Sequence, residues 1–483
     1  MNPVRNKPPL AAAAVPTEGR ISNGVKLHDI FFWFACFFLA GVLVASVVSG
    51  FTHAYLIAGL FILLLFLLVI VVRRKSLVVD GSSLVSLSLV VLSLVVGSVY
   101  FFAFDYAKQD NRIIFGEKVQ FSGVIREAEQ RLSSQKLVIE NIQINTSRYP
   151  AFDYGDEIKV VGVVKKPDAE FASYYKKEGI AGVVGFPEIE LVSSGNGSPV
   201  KAQLLKIKSF FESSFKKVLP FDQAVFMAGL TLGETAEFSD ELKEKLRATG
   251  TSHLVALSGY NISVIISTVI NLLALWWFTK RFSFWISSGM VLGFVVMTGA
   301  EASVVRAAMM GFLILLADKL HRVYYFRNAV AATALVMVGV NPHILAFDIG
   351  FQLSFAALLG ITYFQPWIEK KLKWQDKSGY FNWRKHLTTT TSAQIAVLPI
   401  LLYHFGQFSP IGLISNVLLL EFIPITMGLG FFIGFASLIA YPLAWALSFP
   451  ASILLGYELG VINVCAKIIT AFSKIPNIFS IFQ

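Results

Sequence analysis

The sequence predicts a polytopic α-helical membrane protein with an inserted small β-barrel domain outside the cytoplasm. Of its 483 residues, 55% are hydrophobic and 15% are charged, whereas about 25% of the residues in a soluble domain are charged. Apolar runs such as "AYLIAGLFILLLFLLVIVV" approach the roughly 20 residues that a helix needs to cross a bilayer. Residues 105–200 are instead polar with alternating apolar positions, which indicates β-strands.

The N-terminal part is predicted to hold a tail and three spans. Residues 1–27 are polar, and we expect them to be a disordered cytoplasmic segment. Residues 28–104 then contain apolar runs at 29–50, 54–72 and 84–104. The first run is too long for a cleaved signal peptide, so we expect it to remain as a span. The two cysteines lie far apart in apolar runs, so we predict neither a disulfide nor a cysteine-based metal site.

The polar segment 105–200 resembles a small barrel of the OB type. "VQFSGVI", "KLVIENIQI" and "DEIKVVGVVKK" each predict a strand, and "GIAGVVGFPEIELV" predicts a fourth and fifth. Barrels of this class often bind oligonucleotides or oligosaccharides, although some serve only as structural modules. Residues 110–200 contain 11 Lys or Arg against 13 Asp or Glu. Composition therefore does not predict a strongly basic groove.

The second half is predicted to be a basic amphipathic helix followed by a large membrane domain. Residues 201–219 combine five lysines with an apolar face, which indicates a helix lying in the membrane interface. Residues 220–483 then form a transmembrane domain. Its predicted spans lie at 253–278, 283–300, 303–319, 328–344, 347–365 and 388–405, with two to four more within 411–473.

The distribution of Lys and Arg predicts the orientation. If the N-terminus is cytoplasmic, the loops near 73–75, 280–281, 319–327 and 370–385 are cytoplasmic and rich in Lys and Arg. This bias is typical of loops on the cytoplasmic side, and it also explains the net charge of +10 without nucleic-acid binding. We therefore expect a multi-pass protein of the plasma (inner) membrane with residues 105–200 outside the cytoplasm.

The stretch "TSHLVALSGYNISVI" carries an unusual number of polar groups for a membrane helix. At about 100° per residue, His253, Tyr260, Asn261 and Ser258 occupy roughly one half of a helix. Polar groups in hydrocarbon must face protein or water. They either line a hydrated path or hydrogen-bond neighbouring helices, with Gly259 allowing close approach. The sequence leaves both interpretations open.

Further polar residues lie in the other predicted spans. A charge at the centre of a span costs about 2.5–3.5 kcal/mol on insertion scales, so each one is a candidate for function. The alternative is an internal ion pair of Arg306 with Glu301 or Asp348, and one residue can serve both roles. The candidates are Glu301, Arg306, Asp348, Gln352, Gln394 and Glu421.

Enzyme motifs are missing from the sequence. His253 and Ser258 lie about 140° apart on a helix, which argues against a catalytic pair. The sequence has no G-x-S-x-G, H-E-x-x-H or P-loop, and its seven histidines lack metal-ligand spacing. We predict no catalytic residue, metal or cofactor.

Four strings resemble the ComEC family of competence proteins. They are "SHLVALSGYN", "SVVRAA", "NPHILAFDIGFQLSFAALLG" and "AQIAVLPILLYHFGQFSPIGLISNVLLLEFIP". The resemblance implies an inner-membrane channel that moves single-stranded DNA into the cytoplasm during natural transformation. The residues expected along the path are His253, Ser258, Gly259, Tyr260, Asn261, Arg306, Asp348, Gln352, Ser354, Gln394 and Gln407, with Glu301 and Glu421 as structural or ion-pair residues.

Two departures from the family pattern qualify these expectations. The family's "SGLH" is replaced by "SGYN", in which Tyr260 and Asn261 keep the face polar without a histidine. Many members end in a metallo-β-lactamase-like domain, and this sequence has no H-x-H-x-D-H motif. We expect a form without that domain and without nuclease activity.

The resemblance also implies partners: single-stranded DNA, membrane lipid and other competence proteins, namely a DNA receptor, a cytoplasmic motor and a separate nuclease. Assembly into a homo-oligomer is left open. Two alternatives remain at this stage. One is a transporter or channel for a smaller polar or ionic solute, with Asp348, Arg306 and Glu301 as its coupling site. The other is a membrane-embedded enzyme using His253 and Ser258.

Overall fold

The structure is a computed structural model, and it describes only part of the chain. The described residues are 27–48, 81–108, 115–168, 171–257, 259, 261–262, 264, 280–372, 383–406 and 409–473. The predicted disordered segment 1–27 (apart from residue 27), the predicted span 54–72 and most of 253–278 lie outside them. So do Ser258, Tyr260 and Gln407.

Two N-terminal helices coincide with the first and third predicted spans. Helix α1 covers Leu27–Val48 and helix α2 covers Gly81–Lys108. A Cβ at Gly41 would overlap the backbone of Leu94, and a Cβ at Gly97 would overlap the backbone of Phe38. Small residues at such crossings let helix backbones approach closely, and van der Waals packing then holds the pair together in lipid.

The inserted segment forms one curled, six-stranded sheet among its described residues. Its strands are β1 (Lys118–Gln130), β2 (Ser134–Ile139), β3 (Ile142–Ser147), β4 (Glu157–Val163), β5 (Gly182–Gly185) and β6 (Glu188–Ser193), and helix α3 (Ala172–Glu178) precedes β5. The strand order is β5-β3-β2-β1-β4-β6. Strand β1 pairs with β4 along its first half and with β2 along its second half, so it bends the sheet into a half-barrel.

The predicted count of five strands was wrong by one. "KLVIENIQI" forms two strands rather than one, because the chain reverses at Glu140 and Asn141 between β2 and β3. Glu140 adopts a left-handed backbone conformation with φ of 47°, as tight hairpins require. The structure shows a curled sheet, and the closed OB-type barrel stays a prediction.

The interior of this β domain follows from the alternation of its strands. Side chains on successive residues of a strand point to opposite faces, and in β4 Ile158 and Val160 are buried while their neighbours are less so. They meet Ile125, Leu137 and Ile144 from the other strands in one apolar cluster.

The C-terminal half is helical. Its helices are α4 (Pro199–Val218), α5 (Phe221–Leu232), α6 (Asp240–Ala248), α7 (Ser252–Val255), α8 (Lys280–Met297), α9 (Ala302–Lys319), α10 (Phe326–Val340), α11 (Ile344–Phe347), α12 (Ile349–Lys371), α13 (Trp383–Phe405), α14 (Gly412–Leu419), α15 (Ile423–Ile439) and α16 (Tyr441–Ser473). A buried apolar cluster joins α4, α5 and α9 with α14, α15 and α16.

Three helices in the described residues are long and apolar enough to cross a membrane. They are the stretches Asp29–Val47, Leu89–Lys108 and Tyr441–Ala471. Helices α14 and α15 would make a fourth span, bent by 51° at the break between them. Helices also occupy the other described predicted spans, but they are shorter or more polar; α9, for example, contains Arg306, Asp318 and Lys319.

The basic amphipathic helix α4 packs against the protein itself. Phe211 and Phe215 are buried, and a Cβ at Gly434 of α15 would overlap the Phe211 ring. On its polar side, Lys208 pairs with Glu234 at 2.5 Å and Lys216 pairs with Glu237. Contact of the remaining face with lipid stays a prediction.

Candidate functional site

Arg306 brings three separate motif segments together. It lies one turn into α9 and its residue surface is 8% exposed. Its Nη1 donates a hydrogen bond to the carbonyl of Ser354 on α12, and its guanidinium lies 5.7 Å from the centre of the Phe355 ring. A Cβ at Gly259 would lie 3.2 Å from Nη2. Predicted path residues from 259, 306 and 354 therefore share one buried position.

One donor of the Arg306 guanidinium, Nε, is buried without a hydrogen-bond partner among the described residues. An unsatisfied buried donor costs about 1–3 kcal/mol. Guanidinium groups bind phosphate and carboxylate oxygens through several N–H groups and also stack on aromatic rings. Arg306 beside Phe355 thus has the chemistry to bind an anionic ligand.

Asp348 is placed differently from the predicted ion pair with Arg306. It occupies the N-cap of α12, where Oδ1 accepts a hydrogen bond from the Phe351 amide at 3.2 Å. Its Oδ2 lies 3.4 Å from Nζ of Lys177 in the β domain. Burial alone would lower the pKa of Lys177, but the charges of Asp348 and Glu178 raise it above its usual value. The carboxylate of Asp348 is thus paired with a cation that the sequence analysis did not single out.

Two other predicted site residues, Gln352 and Glu301, lie close in the chain to Asp348 and Arg306. Gln352 shares a face with Asp348, as predicted, and its Nε2 donates to the carbonyls of Leu345 at 3.1 Å and Ala346 at 2.9 Å. These bonds hold the corner between α11 and α12. Glu301 stands at the N-cap position of α9 and is exposed, and its side chain makes no capping hydrogen bond.

A second group of motif residues surrounds the turn at Gly250, which has a φ of 66°. The hydroxyl of Ser415 donates to the carbonyl of Thr249 at 2.8 Å. Gln394 of α13 reaches the same place, because a Cβ at Gly412 would lie 3.1 Å from its Nε2 and 3.4 Å from the Thr249 carbonyl oxygen. The turn before α7, the middle of α13 and the start of α14 therefore converge.

The predicted common helix face of His253 and Asn261 was wrong. Helix α7 ends at Val255, and Ala256 has an extended backbone with ψ of 121°. The carbonyl of Leu257, freed by this break, accepts a hydrogen bond from Ser303 of α9 at 2.5 Å. His253 is exposed, with Nδ1 3.1 Å from the Gly250 carbonyl oxygen.

Asn261 is 2% exposed and its Nδ2 donates to the Leu230 carbonyl oxygen at 3.4 Å. It thus lies against α5, whereas His253 lies at the turn. The two residues belong to different surroundings.

Two carboxylates sit at breaks or in the interior of the last helices. Glu421, between α14 and α15, has Oε2 2.7 Å from Nε2 of His386 on α13. Glu458 of α16 is fully buried and accepts a hydrogen bond from the Thr426 hydroxyl at 2.6 Å. Its Oε2 has no partner among the described residues. The sequence analysis missed Glu458, although an isolated charge in an apolar run is the signal that identified Glu421.

Comparison with known proteins identifies the family of the region that contains these motifs. Residues 230–482 match the family model Competence, described as competence protein. The chain is 28% identical over 223 residues to ComE operon protein 3 from Bacillus subtilis (strain 168), and the match covers 46% of this chain and 27% of that protein. The matched region thus spans about a quarter of that relative's length. No solved structure matches the chain.

Proposed function

Because the chain belongs to the Competence protein family, we propose that it takes part in DNA uptake as an inner-membrane channel for single-stranded DNA during natural transformation. The observation that carries the proposal is the convergence of three motif segments on the buried guanidinium of Arg306. A path for a polyanion needs cations or neutral donors in the helical domain, and Arg306 supplies a positive charge there, with its Nε unpaired among the described residues.

Arg306 and its aromatic neighbour suit the two parts of a nucleotide. The guanidinium would bind a phosphate oxygen, and the Phe355 ring offers a stacking surface for a base. Stacking on aromatic side chains contributes about 1–3 kcal/mol per base in proteins that bind single strands. Both contributions are independent of base sequence, as a channel for DNA of any sequence requires.

The β domain is proposed to receive the strand outside the cytoplasm. Phe186, in the turn between β5 and β6, is 73% exposed and has a left-handed backbone with φ of 47°. An exposed aromatic residue in this conformation is unusual and is often functional. Lys166 follows Lys165, which forms an isolated β-bridge with Val183 of β5, and its ammonium lies 5.6 Å from the centre of the Phe115 ring. In this proposal, bases stack on aromatic side chains and single lysines contact the strand, so the β domain binds DNA without a net positive charge.

The topology and partners of the channel are part of the same proposal. The Lys and Arg distribution supports a cytoplasmic N-terminus and a β domain on the outer side. We propose that degradation of the second strand, DNA capture and the pulling force come from a separate nuclease, receptor and motor.

Deletion and complementation test the proposal directly. Cells lacking the gene should bind labelled double-stranded DNA at the surface but accumulate no label in a DNase-protected, cytoplasmic fraction, and a plasmid copy should restore it. Normal entry of label into the cytoplasm of the deletion strain would refute the channel.

A channel for a smaller cation is the second candidate, favoured by Glu458. A fully buried carboxyl group inside a predicted span, with one oxygen unpartnered among the described residues, is typical of proton and ion paths. This candidate predicts ion-dependent uptake of a small solute and no effect of deletion on transformation.

A further inference from the structure

Helix α3 of the β domain rests on the corner between α11 and α12 of the helical domain. Nζ of Lys177 lies 3.4 Å from Oδ2 of Asp348, and the Asn341 side chain donates to the Lys177 carbonyl at 3.0 Å. The ammonium of Lys176 stands 4.6 Å from the centre of the Phe347 ring and 5.9 Å from that of Phe101. One short helix therefore contacts both α2 and the α11–α12 corner.

This contact is polar rather than apolar. None of the residues of α3 is buried, so no hydrophobic core attaches the helix to its neighbours. The Asp348 side chain, in contrast, is only 7% exposed, against 29% for Lys177. A largely buried carboxylate needs a partner charge, because leaving it unpaired is strongly destabilising. Attachment of α3 thus depends on polar and cation–π contacts, and the ion pair is the one among them that neutralises a largely buried charge.

Both oxygens of Asp348 are already engaged. Oδ1 accepts the hydrogen bond from the Phe351 amide, and Oδ2 faces Lys177. A negatively charged group with both oxygens occupied is also poorly suited to contact a phosphate. These observations separate Asp348 from Arg306, whose Nε has no hydrogen-bond partner among the described residues.

We propose that Asp348 and Lys177 are positioning residues: their ion pair holds the β domain on the first turn of α12, and Asp348 does not contact the transported molecule. Six residues later on the same helix, the Ser354 carbonyl accepts the hydrogen bond from Arg306. At about 1.5 Å per residue, the two positions are roughly 9 Å apart along the helix. The pair therefore sets where the β domain stands relative to the Arg306 position.

Substitutions can separate the ion pair from the helix cap. Asparagine caps helices about as well as aspartate, so Asp348→Asn keeps the bond to the Phe351 amide and removes the charge. Lys177→Gln removes the cation and leaves Asp348 intact. Glu178→Gln is the matched control, because Glu178 also pairs with Lys177, at 3.1 Å, but belongs to α3 itself.

Hydrogen exchange of the full-length protein in lipid nanodiscs measures the attachment of residues 172–178. We expect about tenfold faster exchange in Asp348→Asn and in Lys177→Gln, no further increase in the double variant, and no change in Glu178→Gln. Tenfold corresponds to about 1.4 kcal/mol. Unchanged exchange in both single variants would overturn the proposal.

Uptake in cells supplies a second readout that rests on the proposed function. A positioning pair predicts equal losses of DNA uptake in Asp348→Asn and Lys177→Gln, and Lys177→Arg should restore it. Loss in Asp348→Asn with normal uptake in Lys177→Gln would instead make Asp348 a contact residue and overturn the inference. If gene deletion leaves uptake normal, the proposed function fails, whereas the exchange experiment still decides the role of the ion pair.

Discussion

Gly360→Ala should destabilise the helical domain, because it places a methyl group where α13 already lies. A Cβ at Gly360 would be 2.5 Å from Cβ of Ala396 and 2.7 Å from the carbonyl oxygen of Ser392. Carbon atoms in contact lie about 3.5–4.0 Å apart, so α12 and α13 would have to separate by roughly 1 Å. Overpacking of this kind costs about 3 kcal/mol, and the better helix propensity of alanine returns about 1 kcal/mol. The net loss is about 2 kcal/mol.

Gly428→Ala is the matched control for this substitution. Gly428 lies inside α15 with nothing within 4 Å of the added Cβ, so the variant should gain up to about 1 kcal/mol. Thermal unfolding of the two purified proteins in the same detergent compares them. A difference of about 3 kcal/mol corresponds to roughly 6 °C at about 2 °C per kcal/mol. The reasoning is refuted if Gly360→Ala unfolds at the same temperature as Gly428→Ala or above it.

Three further predictions concern charge and recognition. Burial raises the pKa of Glu212 from 4.5 to about 7, so the folded protein binds a proton that the unfolded chain releases. The free energy of unfolding should then fall by at most about 3 kcal/mol as the pH rises from about 4.5 to 7. Glu212→Gln should flatten this pH dependence in thermal unfolding. An unchanged pH dependence in the variant would contradict the prediction. His386→Ala removes the ring whose Nε2 lies 2.7 Å from Oε2 of Glu421, and it should lower the free energy of unfolding by about 1–3 kcal/mol in the same assay. His321→Ala, at an exposed position, should leave the free energy of unfolding unchanged. Phe186→Ala should weaken binding of single-stranded DNA to the full-length protein about 5- to 150-fold in fluorescence anisotropy without changing the unfolding temperature; equal affinity contradicts the stacking role.

The positions of most helices could be predicted because an apolar run is a local signal. Helix α9, predicted at 303–319, covers Ala302–Lys319. The span predicted at 328–344 instead ends at Val340, since Asn341 and His343 form a turn there, with the Asn341 Oδ1 accepting from the His343 amide at 3.1 Å. Side-chain hydrogen bonds to the backbone of this kind interrupt helices without changing the hydropathy.

Partners of the polar residues could not be predicted, because they are distant in the sequence. The sequence identified the motif that contains Asp348. The cation that pairs with Asp348 is Lys177 of the β domain, and no sequence pattern distinguishes this lysine or its neighbour Lys176. The predicted placement of His253 assumed an unbroken helix. The sequence contains no signal for the hydrogen bond from Ser303, which satisfies the Leu257 carbonyl left free by the break. Local pattern thus identified which residues are unusual, whereas tertiary contacts decide what they do.

The central claim is that Arg306 contributes to a path for single-stranded DNA, and DNase-protected uptake in cells carrying Arg306→Gln tests it most directly. Arg322→Gln, in the exposed loop after α9, is the control, and immunoblots establish equal protein levels in the membrane. The account predicts loss of uptake in Arg306→Gln, partial recovery in Arg306→Lys and normal uptake in Arg322→Gln. Normal uptake in Arg306→Gln, in a strain where deletion abolishes uptake, would contradict it.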